Sequence, residues 1–116
     1  MDEIVDKIYR DYDGKPLEIL SPLIKGKKGE YKNLLIKLRQ QGYLKARVDG
    51  TVLWLEEDID LDKKKKHSIE CVIDRLRVRE ENRQRLSEAV EMAMKLSEGF
   101  VLLISEGMED LELTEK

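Results

Sequence analysis

Residues 31–55 constrain the fold more than any other part of this chain. Tyr31, Leu34, Leu35 and Leu38 recur at i, i+3, i+4 and i+7, which predicts an amphipathic helix, and Gly42 sits where a left-handed cap would end it. The period then changes to two. Leu44, Ala46 and Val48 alternate with Lys45 and Arg47, and Asp49-Gly50 is the pair favoured in a type I′ turn, so the chain should return along residues 52–55. Side chains two apart on a strand share a face, so this hairpin has one apolar and one charged side.

The remaining elements follow from the same two periods. Ile4, Val5, Ile8 and Tyr12 lie at helical spacing behind Asp2, a possible N-cap, and Asp13-Gly14 stops that helix. A strand is expected over 16–24, followed by a mobile basic loop, Lys25-Gly26-Lys27-Lys28-Gly29. Residues 56–66 carry acids and then four consecutive lysines, which reads as a solvated excursion. A long strand over 68–79 leads to a helix over 82–98, with Leu86, Ala89, Val90, Ala93 and Leu96 as its buried stripe and Gly99 as its stop. A short apolar strand, 100–104, closes the domain. The expectation is an α+β (mixed α/β) fold, one small domain over residues 1–116, with a mixed β-sheet and helices packed mainly on one face.

Charge is abundant but balanced: 41% of the 116 residues are charged, and the formal net charge is −3. That argues against a general polyanion binder and turns attention to local charge. The span 25–47 holds eight basic residues against one acid, Glu30, whereas 106–116 holds five acids and one lysine. Cys71 is the only cysteine, so no internal disulfide is available. No stretch reads as a membrane span or a secretory signal, and a cytoplasmic location is expected. A helical pattern beginning directly at Met1 is compatible with a fragment of a larger protein.

Catalytic and metal signatures fail on spacing. Gly26-Lys27-Lys28-Gly29 lacks the spacing of a phosphate-binding P-loop. Asp58, Asp60 and Asp62 open like a calcium loop, but Lys63 and Ile69 occupy the places of its glycine and its bidentate glutamate. His67 has no companion set for a triad or a zinc site and is expected at the surface or a strand edge. Cys71 reads as a small core residue, and Trp54 is assigned to the core rather than to an interface.

Basic side chains recur in rows: Lys45 and Arg47 on one strand, Arg75, Arg77 and Arg79 on another. A solvated sheet face needs polar residues in any case, so these rows alone leave a binding surface and an ordinary wet face both open. The runs KGEY…QGYLKARVDG and KKHSIECVIDRLRVR, with the flanking LEILSPLIKGKKGE and the helix RQRLSEAVEMAMKLSEG, narrow the choice. Over about residues 4–104 the chain resembles the UvrB-binding domain of UvrA, the ATPase subunit of the bacterial excision nuclease. Tyr31 stands where that family usually has His, Lys45 where it has Arg, and Cys71 where it has Val; an ammonium at 45 has no planar fork for a carboxylate.

The resemblance implies a non-catalytic docking module whose basic residues meet an acidic surface of UvrB. Lys45, Arg47 and Arg75 are the implied contacts, with Arg77 and the lysines Lys25, Lys27 and Lys28 as secondary ones. It also implies that ATP hydrolysis and zinc binding belong to other parts of the parent chain, that this segment carries no cofactor, and that DNA is reached through the parent protein. Leu96-Ser97-Glu98-Gly99 partly matches the signature of that ATPase superfamily, but it lacks the first glycine and ends a helix. The alternative is a weak, sequence-blind DNA-backbone binder using Lys63–Lys66 and the Lys25–Lys28 segment.

Overall fold

The structure, a computed structural model, describes residues 2–115. Its elements in chain order are α1 (Asp2–Tyr12), β1 (Pro16–Lys28), α2 (Lys32–Gln40), β2 (Lys45–Val48), β3 (Thr51–Trp54), β4 (Lys66–Arg77), a single 3₁₀ turn (Glu80–Asn82), α3 (Arg83–Ser97), β5 (Phe100–Ile104) and β6 (Leu111–Thr114). The strands form one antiparallel sheet in the order β3-β2-β4-β1-β5-β6, and the fold is α+β as the sequence implies. The chain divides into two compact units: one runs to Ser21 and resumes at Ile73, and the other is Pro22–Val72. No described helix is long and apolar enough to cross a membrane.

In the first unit, Val5, Ile8 and Tyr12 of α1 and Leu86, Ala89, Val90, Ala93 and Met94 of α3 form one core with Leu17 and Ile19 of β1, Leu76 of β4, Val78, and Val101 and Leu103 of β5. The alternation 17, 19 and 101, 103 is the strand period of two, which sends every second side chain inward. Ser21 is fully buried, and its hydroxyl donates to Ala93 O at 2.6 Å, so its burial leaves no unmet donor. Two details differ from the sequence reading. Met94 takes the buried place expected for Leu96, which is half-buried, and the left-handed residue ending α3 is Glu98 (φ 61), with Gly99 N donating to Met94 O.

Strand β6 has no counterpart in the sequence reading. It lies in the acidic end of the chain and pairs with β5 in register Phe100↔Thr114 through Leu103↔Leu111. Only Leu111 and Leu113 signal it, and its partner strand supplies the backbone bonds that such a short segment could not hold alone.

In the second unit, Leu35 and Leu38 of α2 are buried, as are Ala46 and Val48 of β2 and Ile69 and Cys71 of β4. The pairings Ala46↔Cys71 and Val48↔Ile69 put these four on one face. Asp49 (φ 50) and Gly50 (φ 86) both adopt positive φ, the geometry of the type I′ turn. The expected loop at 25–29 is instead the end of β1, which reaches Lys28. Gly26 N donates to the Ser68 hydroxyl of the neighbouring strand at 3.0 Å, which carries the pairing into the glycine-rich segment. Tyr31 then fastens the turn: its hydroxyl donates to the carbonyls of Lys27 and Lys28 at 2.9 and 3.0 Å. A Cβ at Gly29 would stand 2.9 Å from the Tyr31 ring, so a larger residue there would displace the ring from its hold on the turn.

Candidate docking surface

The β2–β3 hairpin turns one face to the interior and the other to solvent. Its register pairs Lys45 with Trp54 and Arg47 with Val52, so these four side chains share the outward face. Val52 and Trp54 are 47% and 45% exposed. The Lys45 ammonium sits 4.6 Å from the Trp54 ring centroid, a cation–π contact on a wet surface. Leu44 just before β2 and Ile36 on α2 are also exposed, at 68% and 52%. Trp54 is therefore not the core residue expected from its type. It sits on the edge strand of the sheet, opposite a lysine, and the hairpin register places it outside.

The sequence-predicted cations meet different fates. Arg47 shares its face with Lys45, but its Nε lies 3.5 Å from Glu70 Oε1, and the two side chains are only 23% and 11% exposed. Glu70 is directly opposite Arg47 on β4, so the pair is a cross-strand ion pair. Arg75 and Arg77 belong to the other unit. Both are exposed and flank buried Leu76; Arg77 Nη1 donates to Gly14 O at 2.7 Å, whereas the Arg75 guanidinium makes no bond among the described residues. Neighbouring Asp74 accepts the Arg75 backbone N–H at 2.8 Å, but the guanidinium it pairs with is that of Arg85; this bidentate contact at 2.7 and 2.8 Å, helped by the Arg75 N–H, holds the Asp74 carboxyl below the usual carboxylate range. Lys25, Lys27 and Lys28 are exposed on the last residues of β1.

His67 corrects the sequence reading most sharply. It is 6% exposed rather than superficial. Its Nδ1 lies 2.7 Å from Asp49 Oδ2 and its Nε2 2.8 Å from Asp62 O, while Asp49 Oδ1 accepts Ser68 N at 2.8 Å. One imidazole thus latches the hairpin turn and the 56–65 segment to the start of β4. The Asp49 hydrogen bond, helped by the Asp62 carbonyl, raises the His67 pKa above 6.5, and the same bond lowers that of Asp49 below 3.8.

The sign of the linkage follows from these directions. The contribution of His67 is complete below its unfolded value and fades as pH rises through the raised folded value. That of Asp49 is complete above its unfolded value and fades as pH falls through the depressed one. The latch should be strongest between about pH 4 and 6.5. The melting temperature is therefore expected to fall above that window, and His67→Gln should flatten this decline. Parallel pH profiles for the two proteins would rule the latch out.

The residues with candidate thiol or metal chemistry have structural surroundings of their own. Cys71 is fully buried, and burial pushes its thiol up to about 12, far from a reactive thiolate. Asp62, one of the three spaced aspartates, spends Oδ1 on Lys64 N and its carbonyl on His67. Among the described residues no three His, Cys, Asp or Glu side chains are grouped to hold a metal.

A family model described as the UvrA interaction domain matches residues 1–107. The UvrABC system protein A of Bacillus subtilis (strain 168) is 41% identical over 115 residues, covering 99% of this chain and 12% of that protein. That of Aquifex aeolicus (strain VF5) is 47% identical over 111 residues, covering 94% and 12%. The Methanothermobacter thermautotrophicus protein of the same name is 45% identical over 101 residues, covering 85% and 10%. The chain spans about an eighth of the length of these relatives.

Proposed function

The chain belongs to the UvrA interaction domain family, and we propose from that membership that it is a non-catalytic docking domain that binds UvrB during excision repair. The observation that supports this reading is the outward face of β2 and β3. It combines an exposed aromatic anchor, Trp54, with Val52, a lysine over the ring and an arginine paired to Glu70 on the same face. Interface hot spots favour such an aromatic centre with an arginine near it. Lys45 is the charged contact on this face, and Arg75, in the other unit, is proposed as a contact on its own account; neither charged group is committed to an internal carboxylate. Arg47 orders the face through Glu70, and Arg77 is partly committed to a backbone carbonyl.

Titration of the chain against purified UvrB tests the reading. Lys45→Glu and Arg75→Ala are each expected to weaken binding roughly 5- to 30-fold, about 1–2 kcal/mol, with the melting temperature unchanged. Affinity should also decline as salt is raised, because charge steers the encounter. Wild-type affinity in both variants would remove these residues from the interface, and ATP turnover by this chain would contradict a purely docking role.

A further inference from the structure

The segments Lys25–Lys28 and Lys63–Lys66 lie almost forty residues apart in sequence, and the sheet brings them together. The first is the end of β1, the second leads into β4, these strands are neighbours, and the bond from Gly26 N to Ser68 Oγ fixes one end against the other. Seven lysines thus gather at one end of the Pro22–Val72 unit. Among the described residues, the carboxylate contacts in this region go to groups other than the ammonium groups of Lys27, Lys28 and Lys63–Lys66. Glu30 and Asp60 lie against Lys32 at 3.7 and 3.9 Å, and Asp62 accepts the backbone of Lys64. Lys27, Lys28 and Lys63–Lys66 are exposed and make no ion pair among the described residues.

From this cluster we infer a second binding surface, separate from the docking face, that takes the phosphodiester backbone of duplex DNA without reading its sequence. The chemistry favours phosphate over an acidic protein surface. Protein interfaces centre on aromatic and apolar residues and are depleted in lysine, and the exposed apolar residues of this unit, Ile36, Leu44, Val52 and Trp54, are not among these lysines. Lysine ammonium groups are compact point charges on mobile stems, suited to following phosphates whose exact positions vary. The framework beneath them is fixed: Tyr31 holds the carbonyls of Lys27 and Lys28, and the His67 latch holds the turn at Asp62. An overall negative chain can still bind DNA through such a patch, because counterion release depends on local cations rather than on net charge.

The test is fluorescence anisotropy of a labelled mixed-sequence duplex of about 25 base pairs, with the chain titrated in at salt from about 20 to about 200 mM. The wild type should bind, with log affinity falling linearly with log salt. Replacing Lys27, Lys28, Lys64 and Lys65 together by glutamine should reduce that slope by about 3–4, close to one for each phosphate no longer neutralised. Arg10→Gln with Lys95→Gln, on α1 and α3, should leave it unchanged, and UvrB binding by the quadruple variant should be retained. Absence of salt-dependent binding by the wild type, an unaltered slope in the quadruple variant, or an equal reduction in the α1/α3 variant would each overturn the inference. Retained DNA binding with abolished UvrB binding would assign the lysines to the protein partner instead and overturn it as well.

Discussion

Arg47→Glu is expected to cost about 2–4 kcal/mol of folding stability before any partner is added, a value below that of a fully buried broken pair because both side chains keep some water. The substitution sets two carboxylates at the place where the Arg47 guanidinium now faces Glu70 at 3.5 Å, on a pair of strands where the side chains have little room to diverge. The same change is an obvious choice for probing a charged interface, and any drop in UvrB binding it caused would mix unfolding with damage to the interface itself. Urea melts of Arg47→Glu, Glu70→Arg and the exchanged pair separate the two effects. The exchanged pair should recover part of the stability. An Arg47→Glu melt identical to that of the wild type would show that the pair is an ordinary surface contact.

Leu86→Ala should have the largest effect on the first unit, about 2–5 kcal/mol, with a drop in melting temperature of more than about 10 °C. Leu86 is fully buried on the inner side of α3, and its neighbours in the core belong to α1, β1 and β5 as well as to its own helix. Backbone elements on every side prevent the site from collapsing, so most of the removed side chain becomes empty volume. Met92→Ala on the outer side of the same helix, where the side chain is 47% exposed, should stay within about 0.5 kcal/mol. Equal losses at the two positions would contradict the assigned orientation of α3.

The hairpin shows how far local pattern carries. With Asp49-Gly50 as a two-residue turn, the register that pairs Lys45 with Trp54 follows by counting outward, so the exposure of Trp54 was legible from spacing alone. The residue type pointed to the core and was the poorer guide, because an edge strand with one solvated face displays its aromatic residues according to parity, not hydrophobicity. The helices were legible for the same local reason, and Leu35, Leu38, Leu86 and Val90 are buried where the 3.6 period places them. Strand β6 was not legible, because four residues with a modest apolar pattern become a strand only when β5 is there to pair with them.

Sequence alone determined the elements that depend on contacts a few residues apart: three amphipathic helices, a type I′ hairpin with a charged outer row, and the motif runs that carry the family resemblance. Only the tertiary structure decided which charges are spent and which are available. Arg47 meets Glu70, His67 meets Asp49, and the two lysine segments meet each other because β4 lies between β2 and β1, an order set by non-local pairing. The physical reason is that helix and turn geometry is repaid within a few residues, whereas a side chain's charge is governed by whatever the closed sheet places within a few ångströms of it.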